Sequence, residues 1–249
     1  VPISQSINVT ATTTDPTGVN WSCVGTGCGT FSSTTSLSGA PLTYTASSTP
    51  GAFTLTATNA STGVATASIS LGVTDLSGVT TYHNNISRNG SNTQEYALTT
   101  SLVNSASFGK LFSCAVDGAV YAQPLWMPAV NIGGVSHNVI YVATQHNSLY
   151  AFDADRNASP CAPLWHANLI DSAHGATMGE VTVPSCGSGS LVGSGYGDIC
   201  PEVGVTAVVR RQPVAGAFST RTWGVQAVRA DGRMHRPSRG DRGHAPWRR

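Results

Sequence analysis

The stretch His137-Asn138-Val139-Ile140-Tyr141-Val142-Ala143-Thr144-Gln145-His146-Asn147-Ser148-Leu149-Tyr150-Ala151-Phe152-Asp153-Ala154-Asp155 reads as two short strands joined by a tight polar turn. Val139 to Thr144 is rich in β-branched and aromatic residues, Gln145-His146-Asn147 carries turn chemistry, and Ser148 to Phe152 runs back. An Asp-Ala-Asp exit follows, and the bulky pair Leu164-Trp165 lies beyond it. The segment has the period of a sheet, and the rest of the chain is read outward from it.

Upstream, apolar residues alternate with Thr, Ser or Asn. Ile7, Val9 and Ala11 share one face, as do Val19, Trp21 and Cys23, then Leu42, Tyr44 and Ala46, then Phe53, Leu55 and Ala57, then Ala65, Ala67, Ile69 and Leu71. Period two with polar residues between is the pattern of strands with one buried face. Asp15-Pro16-Thr17-Gly18, Ser38-Gly39-Ala40-Pro41, Thr49-Pro50-Gly51 and Ser61-Thr62-Gly63 separate them with turn residues. Short strands at this spacing predict a β-sandwich over residues 1–74, with Trp21 as a core anchor.

Hydrophobic residues make up 40% of the 249, enough for a core, and charged residues only 10%. A chain dominated by Ser, Thr, Gly and Ala suits strands and turns rather than long helices. No run approaches the ~18 apolar residues of a membrane-spanning helix, so no such span is expected. The chain opens on Val1 without a charged segment followed by an apolar one, and the N-terminus is expected to be processed or cut.

Charge is distributed unevenly. Residues 1–207 hold three basic side chains, Arg88, Lys110 and Arg156, against ten acidic ones, a net of −7. Residues 208–249 hold ten arginines against Asp231 and Asp241, a net of +8. An Arg-rich tail can bind nucleic acid or an anionic surface. Arg, Pro, Gly, Ala, Trp and His mixed without periodicity is also what a GC-rich gene yields out of frame. Disorder is expected either way, because few apolar residues offset the chain entropy.

The block from Tyr141 through Tyr150-Ala151-Phe152-Asp153 to Trp165 resembles a blade of the quinoprotein-type β-propeller, whose repeat reads roughly "VYVGT-xDGxLYALDA-…-W". Residues 75–82 form a junction. Tyr82-His83-Asn84-Asn85, Phe108-Gly109-Lys110-Leu111-Phe112 and Val116-Asp117-Gly118-Ala119-Val120-Tyr121 then recur in the order found in bacterial secreted proteins that join an Ig-like domain to such a propeller. Residues 1–74 resemble the bacterial Ig-like module and are expected to lack its first strand. The resemblance thus implies an all-β chain: an Ig-like β-sandwich over 1–74, an incomplete propeller of two to three blades over 75–207, and an Arg-rich tail over 208–249. In that family the Pro201-Glu202-Val203-Gly204-Val205-Thr206 block leads into another blade, and here the Arg-rich segment stands in its place.

The chain departs from the blade pattern where Thr-Gly is replaced by Arg156-Asn157-Ala158-Ser159-Pro160-Cys161-Ala162-Pro163, implying a longer loop before the last strand. A propeller takes at least ~4 blades of about 40–50 residues, so residues 79–207 do not close a ring. An open blade exposes strand edges, and self-association through them is expected.

Cys23 and Cys28 flank a Gly-rich loop, and Cys186 and Cys200 bracket another. Neither pair has the spacing of a zinc site, so disulfides in an oxidising, exported setting are the better reading. Cys114 and Cys161 either pair or remain free. His83, His137, His146, His166 and His174 are scattered among loop signals with no metal-binding spacing, and His235 and His244 lie in the tail. Asp153 and Asp155 offer oxygens to calcium or cap the turn. The glycines between Ser185 and Tyr196 form neither a phosphate cradle nor a nucleophile elbow.

These readings predict a non-catalytic, secreted or cell-surface bacterial scaffold that binds a protein or glycan, with no cofactor of its own. The competing class is a fragment of a quinoprotein dehydrogenase, whose family implies pyrroloquinoline quinone and calcium. No residue of the sequence is assigned to those roles. A nucleic-acid role rests on the tail alone and is disfavoured.

Overall fold

The computed structural model describes residues 1–96, 98–100, 103–105, 108–155, 160–174, 180–186, 197–206 and 227–229. The chain is all-β: among these residues the regular elements are strands and one 3-10 turn over Ser172–His174. No helix among them is long and apolar enough to cross a membrane, a statement that does not extend to β-barrels. The chain divides into two compact units, Val1–Ser77 with Gly90–Leu111, and Gly78–Asn89 with Phe112–Arg249.

Seven strands build the first unit: β1 (Ser6–Val9), β2 (Val19–Val24), β3 (Thr30–Phe31), β4 (Thr35–Ser36), β5 (Leu42–Thr45), β6 (Gly51–Asn59) and β7 (Ala65–Val73). They form two antiparallel sheets of order β1-β5-β3 and β4-β2-β6-β7. Period two decides which side chains go inward. Val19 and Trp21 on β2, Leu42 and Tyr44 on β5, and Phe53, Leu55 and Ala57 on β6 are buried, so residues from both sheets meet in shared apolar clusters. Burial of each large side chain contributes about 1.5–3 kcal/mol. Phe31 joins the two clusters, its ring 5.9 Å from Trp21 and 5.1 Å from Tyr44, and the Trp21 indole N–H donates to Ser36 Oγ at 2.9 Å.

Asp15 ties the loops at one end of this unit. Its Oδ1 accepts the Thr17 N–H and hydroxyl at 2.9 and 2.6 Å, and its Oδ2 accepts the Ser61 N–H and hydroxyl at 2.8 and 2.6 Å. Two turns far apart in sequence therefore share one carboxylate. Its pKa is held far below the usual carboxylate range, first by the Ser61 hydroxyl and then by Thr17. Cys23 and Cys28 are bonded, with Cα atoms 6.0 Å apart, inside the ordinary disulfide range.

The second unit contains β8 (Leu125–Ile132), β9 (Val135–Ala143), β10 (Ser148–Asp153) and β11 (Trp165–Asn168), an antiparallel meander of order β11-β10-β9-β8. Gly133 and Gly134, both at positive φ (60° and 86°), join β8 to β9. Positive φ at both central residues is the type I′ turn, whose twist matches that of the strands, and glycine adopts it without strain. The β8–β9 register shifts between Met127 and Val130, where Ala129 has φ 54° and its N–H donates to Asn138 Oδ1 at 3.1 Å.

β10 is buried on both faces. Leu149 and Ala151 pack on one side and Tyr150 and Phe152 on the other, all at 8% exposure or less, which is why the segment lacks the alternation of the first unit. A smaller sheet of order β13-β12-β14 comprises β12 (Glu180–Pro184), β13 (Glu202–Val203) and β14 (Ala227–Arg229). Cys114–Cys161 and Cys186–Cys200 are bonded, with Cα separations of 5.0 and 5.8 Å. The structure thus settles the open choice for Cys114 and Cys161 in favour of pairing. The Arg-rich tail lies outside the described residues except for Ala227–Arg229, which pair with Thr182, Val181 and Glu180. The Ser185–Tyr196 glycine run lies largely outside them too.

Candidate functional site

Among the described residues of the second unit, a dense cluster of polar side chains surrounds the β9–β10 turn. Thr144, Gln145, Asn147 and Ser148 are all buried there, at 1% exposure or less. Buried polar groups are mostly hydrogen-bonded, and three chain segments supply partners here for all but the Asn147 side chain. From the loop before β8, Asp117 accepts the Thr144 hydroxyl at 2.9 Å and the Ser148 hydroxyl through a shorter contact, while Ala119 O accepts the Gln145 N–H at 2.9 Å. From β13 and its exit, Gly204 N–H donates to Gln145 Oε1 at 2.8 Å, and Gln145 Nε2 donates to Val205 O at 2.9 Å. After β11, the Leu169 N–H donates to Asn147 O at 2.8 Å.

Gly204 must be glycine for this fit. A Cβ there would lie 2.0 Å from Gln145 O and 2.7 Å from Asn147 Oδ1. Asn147 turns the chain at φ 56°, a region Asn tolerates better than most residues. Its side-chain amide is fully buried and has no hydrogen-bond partner among the described residues.

Electrostatics follow from these bonds. Burial pushes the Asp117 carboxyl up, but the Ser148 and Thr144 hydroxyls, the nearby His146 and the Tyr150 hydroxyl together outweigh it, and the net shift is downward. His146 Nδ1 lies 2.8 Å from Glu202 Oε1, and Glu202 Oε2 accepts the Thr182 hydroxyl. The Glu202 bond raises the His146 pKa against the opposing effect of burial, helped by the charges of Glu202 and Asp117. Burial, then Asp117, pushes the Tyr150 phenol upward. His166 stacks on Tyr150 at 4.3 Å, with Nε2 4.0 Å from Asp117 Oδ2, too far for a hydrogen bond.

Serine, histidine and aspartate thus come together without the geometry of an activated nucleophile. The Ser148 hydroxyl is bonded to a carboxylate whose basicity is depressed, no imidazole among the described residues reaches it, and it is shielded from solvent. Nucleophilic catalysis needs a base in hydrogen-bond reach of an accessible hydroxyl. What the cluster does is fix the turn.

The residues singled out in the sequence fall nearby. Tyr141, Tyr150, Ala151 and Asp153 line the β9–β10 pair, and Trp165 opens β11 opposite Ala151, with its ring 6.0 Å from Tyr141. Asp153 Oδ2 meets His137 Nδ1 at 2.8 Å and its Oδ1 accepts the Asp155 N–H at 3.0 Å, while Asp155 Oδ2 accepts the Asn138 amide at 2.7 Å. These oxygens face nitrogen donors and cap the strand exit, an arrangement that does not fit calcium. Among the described residues no group of three or more His, Cys, Asp or Glu could hold a metal. His83 Nδ1 lies 3.1 Å from Arg88 O. The side chain of His174, like His235 and His244, falls outside what the structure describes. Asp117 and Glu202, which organise the cluster, are not foreshadowed by the sequence, because an isolated Asp-Gly and a Pro-Glu pair carry no spacing signal. The chain matches no family model, no curated protein and no solved structure.

Proposed function

We propose that this protein is a non-catalytic, exported bacterial scaffold in which an Ig-like module (residues 1–74) precedes blades of a quinoprotein-like propeller (75–207), presenting a surface to a protein or glycan outside the cell. The observation that carries the reading is β10, buried on both faces within a four-stranded meander. A propeller blade needs such a strand, because each blade packs between neighbours. The three disulfides support an oxidising compartment. Spending Asp117, Ser148 and Glu202 on holding a turn supports a rigid scaffold over a reactive centre.

The test uses the intact, oxidised chain. Saturable binding on a glycan array or to intact bacterial surfaces, without retention of pyrroloquinoline quinone on dialysis with calcium, is the expected result. Stoichiometric quinone uptake with a shifted absorption band, in a monodisperse monomer that then oxidises alcohols or sugars through a dye, would overturn it in favour of the dehydrogenase-fragment reading.

A further inference from the structure

The loop from Tyr82 to Gly90 folds back on itself. His83, Asn84 and Arg88 take left-handed φ values of 56°, 70° and 52°, which residues other than glycine hold only where their surroundings over-determine them. The bonds that do so are local. The His83 N–H donates to Gln123 Oε1 at 2.9 Å, the Asn85 N–H to His83 O at 2.8 Å and the Arg88 N–H to Asn85 O at 3.0 Å, and His83 Nδ1 lies 3.1 Å from Arg88 O. Asn85 is fixed by this network, and its amide nitrogen donates to Asn89 Oδ1 at 2.7 Å.

Asn89 is followed by Gly90, and this is the one Asn-Gly pair in the chain. An asparagine side chain is open to attack by the main-chain nitrogen of the next residue, and glycine, with no Cβ, crowds that nitrogen least. Both residues are exposed. Gly90 has φ 68°, and nothing lies within 4 Å of where a Cβ would stand, so the nitrogen has room to approach. As it does, negative charge gathers on Asn89 Oδ1, the atom that the Asn85 amide already meets. A donor fixed in advance where charge develops lowers the barrier to such a step.

We infer that Asn89 is a self-modification site and that Asn85 is the positioning residue that activates it. Solvent base takes the Gly90 amide proton, the nitrogen bonds to Asn89 Cγ, and the Cγ–Nδ2 bond breaks with release of ammonia, leaving a succinimide ring. Water then opens the ring, at Cγ to give isoaspartate's isomer, aspartate, or at the main-chain carbonyl to give isoaspartate, whose main chain runs through an added methylene. The only co-reactant is water. From Leu76 to Gln94 the chain holds no Asp or Glu, so either product brings the first negative charge into this stretch, next to Arg88. The isoaspartate also lengthens the backbone between two left-handed residues, Arg88 and Gly90, and disturbs the bonds that shape the loop. The protein thus carries a clock whose pace is set by its own fold.

Incubation of the full, oxidised chain at neutral and mildly alkaline pH tests this, read by peptide mapping that separates asparagine, aspartate and isoaspartate. Conversion concentrates at Asn89, rises with pH, and outruns that at Asn104, which is also exposed and is followed by Ser105. A synthetic peptide of residues 80–92 gives the rate without the fold, and Asn89 reacts faster in the folded chain than in that peptide. Asn85→Ala, with a thermal melt confirming that it stays folded, slows the reaction of the folded chain by about tenfold, less than the loss of such a donor in a closed enzyme site because Asn89 stands in solvent. Slower conversion in the folded chain than in the peptide overturns the inference, since the fold would then protect Asn89 rather than activate it, and this comparison needs no variant. So does a rate in Asn85→Ala equal to that of the wild type, which would leave only the ordinary reactivity of an Asn-Gly pair.

Discussion

Removing the carboxylate beneath the β9–β10 turn, Asp117→Ala, is the sharpest perturbation of the second unit. Thr144 and Ser148, both fully buried, lose their charged acceptor, and Tyr150 loses a partner. A hydrogen bond to a charged group contributes about 1.5–3 kcal/mol. The Asp117 side chain is 31% exposed, so the lower figure applies to each of the two hydroxyl bonds, for a total of about 3 kcal/mol. Hydrogen–deuterium exchange over Thr144–Asp153 reads this directly, because local opening sets the exchange of that hairpin. Exchange there should accelerate by about 150-fold, while peptides of the sandwich unit serve as the unaffected control. Asp117→Asn keeps one acceptor oxygen and should fall between. If Asp117→Ala exchanges within about threefold of wild type, the claim that this carboxylate holds the turn is wrong.

Acid should weaken both units: Asp15 and Asp117 have depressed pKa values, so their stabilisation is present above the unfolded carboxylate value of about 3.9 and lost as pH falls through the folded values. Urea midpoints below that pH should drop, and Asp15→Asn should flatten the slope for the sandwich unit. His146 has the opposite sign. Its pKa is raised by Glu202, so its contribution is complete below about pH 6.5 and disappears as pH rises through the folded value. Glu202→Gln should remove most of that alkaline slope and leave the smaller effect of Asp117, and the amplitude should stay under about 1 kcal/mol because the pair is partly exposed. Replacing Cys114 and Cys161 by Ser should lower stability by about 4 kcal/mol in the chain-entropy model, read as a fall in the denaturation midpoint of the second unit.

The strands of the sandwich unit were legible because one face is wet. Ile7, Trp21, Tyr44 and Phe53 alternate with Thr and Ser, and β1, β2, β5 and β6 lie where that alternation placed them. The β9–β10 hairpin was equally plain from Gln145-His146-Asn147 between two β-rich runs. Less could be read where pairing is non-local. β8, with Pro128 and Ala129 at its register shift, does not alternate, and two-residue strands such as β3 and β13 carry no period at all. The cluster under the turn was hidden for the same reason. Asp117 and Glu202 lie 27 residues before Thr144 and 56 after His146 in the chain, and only the fold brings them to one place. Cysteine spacing pointed to two of the three bonds, whereas Cys114–Cys161, 47 residues apart, needed coordinates.

That last bond has a mechanical meaning. Cys114 and Cys161 enclose β8, β9 and β10 in a covalent ring and leave β11 outside it. Tension applied along the chain passes from sulfur to sulfur and cannot extend the segment within. At about 3.4 Å per extended residue, some 160 Å of contour stays withheld from a pulling force until the bond is reduced. Under a pull from the C-terminal side, the outer partners of the turn, Val205 and Gly204, and then β11 would give way while the ring stays closed, and reduction would abruptly lengthen the molecule.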